Sequence, residues 1–142
     1  MPVFGYASKF SGVSYKHQAS LTTTYQVFAL TADATNNAFS AAVPNDCELA
    51  QINVELDTIA SGASKVTCYL ARDLAGDIPV TGECSANVLF GLTTATKGTA
   101  VIDVSLKHHY QGLGSEVRGT LYAIIKLNAG TAKANIRLYW QA

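Results

Sequence analysis

Hydrophobic and polar residues alternate with a period of two along most of this chain. In the segment ELAQINVELD, apolar residues at even positions from 50 to 56 alternate with polar ones at odd positions. Because successive side chains of a β-strand point to opposite faces, this pattern predicts a strand buried on one face. The same pattern predicts strands over 65–72, 84–90, 101–107, 120–127 and 131–142, and the segments 24–31 and 36–43 read as two more.

The strand segments are separated by clusters of turn residues, and no amphipathic helix is evident between them. About eight alternating strands predict an all-β fold, an antiparallel β-sandwich of jelly-roll type, with a closed barrel as the competing arrangement. The segment NAGT at 128–131 predicts a hairpin turn in which Gly130 takes a positive φ. A length of 142 residues is most simply one domain.

The N-terminal segment has a different pattern. Phe4, Tyr6 and Phe10 lie among glycine, serine and lysine residues. We therefore predict an extended N-terminal arm over 1–20, which packs on a neighbouring subunit, and a β-sandwich domain over 21–142. The alternative is that this segment is an ordinary first strand.

The composition is poor in charge. Charged residues make up 14% of the chain, against about 25% in a typical domain, and the formal net charge is 0. Such a surface favours association with itself or another protein over nucleic acid as the main ligand. The chain has no apolar segment of membrane-spanning length and no signal-like N-terminus, so we expect no membrane association and synthesis in a cytoplasm.

The three cysteines, Cys47, Cys68 and Cys84, have no CxxC spacing. Cys68 and Cys84 fall on inward strand positions, so we expect buried, reduced thiols, with a Cys68–Cys84 disulfide as the alternative. The histidines at 17, 108 and 109 also lack zinc-like spacing, and adjacent strand residues point to opposite faces. We therefore expect no zinc, no cofactor and no catalytic residues, the enzyme alternative being a small hydrolase or isomerase that uses His108 or His109.

The segment RDLAGDIPVTGE, at 72–83, concentrates acidic and turn-forming residues. Asp73, Asp77 and Glu83 supply three carboxylates, which is the ligand type that calcium prefers. Their spacing matches no EF-hand, however, and Gly76, Asp77 and Pro79 are typical of turns. We interpret the segment as a connection between strands, with a structural calcium site as the alternative.

Several large side chains fall on strand positions opposite to the core. They predict one exposed apolar patch, a feature that usually marks a protein interface, in which tyrosine and arginine are favoured. The alternative is a parity error at a bulge, or a loop that covers these side chains. The predicted interface residues on the strands are Tyr69, Tyr122, Ile124, Arg137 and Tyr139.

The segments TCYLARDLAGDIPVTGE and GLTTATKGTAVIDVSL resemble a recurring theme in small virion proteins of tailed bacteriophages, over roughly residues 48 to 107. The resemblance implies a head decoration (cement) protein or a related capsid-associated protein, located on the capsid surface of the virion. It implies a homo-oligomer, a trimer in our interpretation, that binds the major capsid protein and reinforces the shell. It transfers no functional residue, because the shared motifs are not catalytic.

Two other functions are compatible with the pattern. A carbohydrate- or receptor-binding β-sandwich of a virion fibre or spike predicts exposed aromatic residues grouped in a concave site. An enzyme predicts a pocket with convergent histidines and carboxylates.

Overall fold

The computed structural model describes residues 12–30, 48–103 and 122–141. Within these ranges the chain forms nine β-strands. They are β1 (Gly12–Leu21), β2 (Gln26–Ala29), β3 (Glu48–Ala60), β4 (Lys65–Ala71), β5 (Cys84–Asn87), β6 (Leu89–Phe90), β7 (Gly98–Asp103), β8 (Tyr122–Leu127) and β9 (Thr131–Gln141).

The strands form two antiparallel sheets. One sheet has five strands in the order β1-β9-β3-β7-β6, and the other has four in the order β2-β8-β4-β5. The apolar side chains of both sheets share a single core. The prediction of an all-β antiparallel sandwich is therefore confirmed.

The pairing of the strands is nested in the manner of a jelly roll. β1 pairs with β9, β2 with β8, β3 with β7 and β4 with β5, so the chain forms one long hairpin that is wound into two sheets. In all four pairings the midpoint in sequence between the two paired residues lies near Gly76. Representative pairs are Gly12–Trp140, Gln26–Ile125, Gln51–Asp103 and Cys68–Cys84. The acidic segment 72–83 is thus the tip of the long hairpin.

Alternation of side chains builds the core, and bulges interrupt it. In β3, Ile52, Val54 and Leu56 are buried, but the next buried side chain is Ile59. A register shift lies between Asp57 and Ala60 of the same strand, at the point where the buried positions change from even to odd. A β-bulge inserts one extra residue and therefore reverses the parity that a simple alternation predicts.

The segment 12–20 belongs to the sandwich. It forms most of β1, an edge strand that pairs with β9 and buries Ser14 and Ala19. The predicted arm over 1–20 is therefore wrong for these residues, because their backbone hydrogen bonds join them to the five-stranded sheet. Phe4, Tyr6 and Phe10, like the strand expected over 36–43, lie outside the described residues.

The segment 84–90 is not one strand. β5 pairs with β4 in the four-stranded sheet, whereas β6 pairs with β7 in the other. The chain crosses between the sheets at Val88, which is buried and donates its backbone N–H to the Ser64 carbonyl oxygen at 2.8 Å. Phe90, which a single alternating strand over 84–90 would place on the same inward face as Cys84, is consequently exposed.

Candidate functional site

The acidic loop, residues 72–83, is held by its own hydrogen bonds. The Asp73 carboxylate accepts from the backbone N–H groups of Asp77 at 3.1 Å and Ile78 at 2.9 Å. The loop then returns along β4, where the Val80 N–H donates to the Leu70 carbonyl oxygen at 2.8 Å. Asp73 therefore satisfies backbone donors that the tight turn would otherwise leave unpaired.

The three carboxylates of the calcium alternative do not converge on one point in this loop. Both oxygens of Asp73 already accept backbone hydrogen bonds, and Glu83 accepts the Tyr25 hydroxyl at 2.8 Å. Asp77 is exposed. Over the ranges 12–30, 48–103 and 122–141, no three or more histidine, cysteine, aspartate or glutamate residues are grouped so that they could hold a metal ion.

We expect Asp73→Ala to lower the free energy of unfolding by about 1–2 kcal/mol, because two backbone donors lose a charged acceptor. Urea unfolding measures this change. The matched control is Asp77→Ala, which removes an exposed carboxylate and is expected to cost less than about 0.5 kcal/mol. Equal losses in the two variants would contradict the capping role of Asp73.

The acidic loop covers part of the outer face of the four-stranded sheet. The Tyr69 hydroxyl donates to the Gly76 carbonyl oxygen at 3.0 Å, and a Cβ at Gly76 would meet the Tyr69 hydroxyl and the end of Ile124. Ile124 is only 1% exposed. The prediction that Ile124 belongs to an exposed patch is therefore wrong, since its strand parity is outward but the loop lies over it.

The expected single patch is divided between the two faces of the molecule. Tyr69 and Tyr122 are half-buried on the outer face of the four-stranded sheet. Arg137 and Tyr139 belong to β9 and lie on the outer face of the five-stranded sheet, where the Arg137 guanidinium stacks over the Tyr15 ring at 4.9 Å. The two sets of side chains point away from each other.

Two tyrosines meet on the outer face of the four-stranded sheet, beside the acidic loop. The rings of Tyr25 and Tyr69 are perpendicular, with centroids 5.3 Å apart. The Lys126 ammonium lies 4.5 Å from the centroid of the Tyr25 ring. Burial, then the hydrogen bond to Glu83 and its charge, raises the pKa of Tyr25. Tyr25 lies in the predicted strand 24–31 but was not predicted as a site residue, because the continuous apolar run at 27–30 gives that segment no clear outward parity.

Tyr25, Tyr69 and Glu83 border a cavity of about 330 Å³ between the loop and the sheet. Burial raises the pKa of the Tyr69 hydroxyl, and the charges of Glu83, Asp73 and Asp77 raise it further. Three carboxylates therefore act on the Tyr69 hydroxyl at the wall of this cavity. We call it the tyrosine pocket, and its lining residues are Tyr25, Tyr69, Gly76, Pro79, Thr81, Gly82 and Glu83.

A second feature is an exposed apolar surface at one edge of the five-stranded sheet. Leu89 is 72% exposed, and Leu92, in the loop that follows β6, is fully exposed. Leu89, in the edge strand β6, pairs with Thr99 of β7. Val101 lies two residues further along β7 and therefore on the same face. We call this surface the edge patch, and its residues are Leu89, Phe90, Leu92 and Val101.

The thiols and the described histidine do not form a reactive centre. Cys68 and Cys84 are directly opposite in β4 and β5, and both are free thiols. The disulfide alternative is therefore not present. Burial, and to a smaller degree Cys84, raises the pKa of the Cys68 thiol, which keeps it protonated. The Nδ1 atom of His17 lies 3.0 Å from the Tyr15 hydroxyl, and Cys47, His108 and His109 lie outside the described residues.

No known protein family model matches the chain, and no curated protein sequence is significantly similar to it. Among solved structures, a carbohydrate-binding module from the glycoside hydrolase family 9 protein Cel9A of Ruminococcus flavefaciens has a TM-score of 0.55. It is 10% identical, and the alignment covers 92% of this chain and 100% of the module. At this identity the likeness shows a shared fold.

Other similar structures are viral capsid proteins. The Cocksfoot mottle virus structure has a TM-score of 0.37 at 10% identity, over 93% of this chain and 95% of that chain. The capsid of Ralstonia phage GP4 has a TM-score of 0.40 at 10% identity, over 93% and 85%. Scores this low carry no argument about function. No helix in the described part of the chain is long and apolar enough to cross a membrane.

Proposed function

We propose that this chain is a structural protein of a virion that acts by binding and not by catalysis. In this proposal it is a capsid decoration protein of a tailed bacteriophage, located on the capsid surface. The jelly-roll fold, the charge-poor composition and the sequence resemblance support the proposal. The observation that carries it is the edge patch, where Leu89 and Val101 are exposed on one face of the sheet and Phe90 and Leu92 are exposed at the same end of the chain segment.

The edge patch suits association with a second copy of the chain. β6 has only two residues and ends the five-stranded sheet, so its outer edge has no strand partner among the described residues. An unpaired edge offers backbone hydrogen-bonding groups to another chain. Burial of the apolar side chains adds roughly 25 cal/mol per Å² before the costs of association are subtracted.

In this proposal the chain binds the major capsid protein through several identical contacts at once. A trimer presents three identical surfaces to the lattice, and the second and third contacts form at a high effective concentration. Because such a ligand binds the assembled lattice and not its unfolded subunits, it stabilises the shell by mass action. That Tyr122, Arg137 and Tyr139 contact another subunit or the capsid also remains a prediction.

We expect the purified chain to be a trimer, and the Leu89→Ser/Leu92→Ser double variant to be a monomer at the same concentration. The substitutions remove the two most exposed apolar side chains of the edge patch. We therefore expect the variant to fold normally and to lose the apolar area that would be buried between subunits. Light scattering over a range of concentrations measures the mass, and circular dichroism confirms that the variant is folded.

The control variant is Leu74→Ser/Ile78→Ser, which removes two exposed apolar side chains from the acidic loop. We expect this variant to keep the mass of the wild type. A wild-type chain that is monomeric at all concentrations, or a double variant at the edge patch that stays trimeric, would overturn the role assigned to the edge patch.

The location is tested on purified particles that carry the gene for this chain, labelled with gold-conjugated antibody. Label on the heads supports a decoration protein, whereas label on fibres or spikes supports the carbohydrate- or receptor-binding alternative. Absence of label from intact and opened particles rejects the virion role. The perpendicular rings of Tyr25 and Tyr69 form a corner and not the flat platform on which a sugar ring stacks, which speaks against carbohydrate binding at this pair.

A further inference from the structure

The tyrosine pocket has a chemistry that the proposed structural role does not use. It combines the two perpendicular aromatic rings with the Glu83 carboxylate and the Gly76 carbonyl oxygen, in a cavity of about 330 Å³. This volume is within the range of small-molecule sites, which begins at roughly 300 Å³. The pocket is therefore large enough for a small organic group.

The rings and the carboxylate of the pocket are held in place. The Tyr69 hydroxyl donates to the Gly76 carbonyl oxygen, which fixes that ring against the acidic loop. The Tyr25 hydroxyl donates to Glu83 Oε2, so both side chains are oriented by one contact. Within the described part of the chain, Glu83 Oε1 accepts no hydrogen bond, so this oxygen is available to a ligand. A site that is already ordered loses little entropy when a ligand binds.

The electrostatics of the pocket select a cation. The charges of Glu83, Asp73 and Asp77 all act on the Tyr69 hydroxyl and disfavour a negative charge there. These carboxylates therefore disfavour an anion beside Tyr69. The faces of aromatic rings carry negative potential, and they attract ammonium groups within about 6 Å of the ring centroid.

The protein already shows this interaction with one of its own side chains. The Lys126 ammonium lies 4.5 Å from the centroid of the Tyr25 ring. No carboxylate among the described residues forms a salt bridge with Lys126, and its ammonium group makes a cation–π contact with the Tyr25 ring instead. Tyr25 is thus positioned and oriented to accept a positively charged nitrogen.

We propose that the tyrosine pocket binds an alkylammonium group. The cation lies in the corner between the Tyr25 and Tyr69 rings, and its N–H groups donate to Glu83 and to the Gly76 carbonyl oxygen. The ligand is either a free alkylamine or the side chain of a lysine on a partner protein. This proposal does not depend on the virion role, because it uses the sheet face opposite to the edge patch.

The test is an NMR titration of the full-length, nitrogen-labelled chain with diaminobutane, and with butanediol as an uncharged probe of matched length. We expect saturable shifts from the diamine at the backbone amides of Gly76, Gly82 and Glu83, with weak affinity in the millimolar range. Butanediol is expected to cause none. Diamine shifts that are no larger than those of butanediol, or that map to the other sheet, would overturn the proposal.

Three variants identify the contacts. Glu83→Gln is expected to weaken diamine binding about three- to fivefold, because it removes a partly solvated charge but keeps an acceptor for Tyr25. Lys126→Met is expected to tighten binding by about twofold at most, because it removes a positive charge that lies against the Tyr25 ring but does not line the pocket. Asp57→Asn, on the other sheet, is the control and should bind as the wild type does. Unchanged affinity in Glu83→Gln would reject the site.

The source of the ammonium group is decided by a second titration, with Nα-acetyl-lysine amide. Binding as strong as that of diaminobutane supports recognition of a lysine side chain on a partner protein. Binding of the diamine alone supports a free alkylamine as the ligand, and both results support an alkylammonium pocket. Binding of a neutral sugar such as glucose, without binding of either amine, would overturn it.

Discussion

Trp140→Ala is expected to lower the free energy of unfolding by about 3–5 kcal/mol, the largest loss we predict for a single substitution. Trp140 is 0% exposed and is the largest fully buried side chain of the described core. It lies near the end of β9, opposite Leu49 of β3 and Gly12 of β1. Truncation leaves a cavity that rigid strands on both sides cannot close. Urea unfolding followed by circular dichroism measures the loss.

The polar part of this effect can be separated from the packing part. The Trp140 indole N–H donates to the buried hydroxyl of Ser14 at 2.9 Å, which joins residues 126 positions apart in the chain. Ser14→Ala leaves this donor buried without its hydroxyl partner and is expected to cost about 1–2 kcal/mol. A loss in Trp140→Ala as small as that in Ser14→Ala would mean that the hydrogen bond and not the packing dominates.

Gly130→Ala is expected to cost about 2–4 kcal/mol, for two separate reasons. Gly130 has a φ of 63°, in the left-handed region that side chains disfavour. A Cβ at this position would also overlap the backbone carbonyl oxygen of Ala60, which no rotamer change can relieve. The turn between β8 and β9 must therefore move away from the end of β3. The free energy of unfolding is measured as for Trp140→Ala.

Gly62→Ala is the matched control for this substitution. Gly62 has a φ of 82°, but a Cβ there meets no atom within 4 Å. We expect a cost of about 1 kcal/mol, which comes from backbone strain alone. The difference between the two variants isolates the close approach of the turn to Ala60. Equal losses would show that the close approach is relieved without cost.

The strands that the alternation predicted are largely the strands that form. β3, β4, β8 and β9 all lie within the predicted segments or extend them by a few residues. The hairpin turn at Gly130 also has the predicted positive φ. These features are local, because the period of two and the freedom of glycine depend on neighbouring residues only.

The candidate sites were less predictable. Outward parity was right for Tyr69 and for Arg137, but parity does not state which sheet a strand joins, and these two side chains lie on opposite faces of the sandwich. Ile124 has outward parity too, yet the acidic loop covers it. The Tyr25 ring contacts the ring of Tyr69, 44 positions away in the chain, and no local sequence pattern predicts that contact.

The amino-acid sequence by itself determined the all-β class, the core faces of the main strands and the turn character of the segment 72–83. Tertiary structure alone decided that this segment is the tip of one long hairpin, that its Asp73 caps a turn, and that Phe90 is exposed at a sheet edge. The physical reason is that periodicity reports which face of a strand is buried. The partner of each strand depends on how the hairpin winds into two sheets. That winding is determined by contacts between side chains that are distant in the chain.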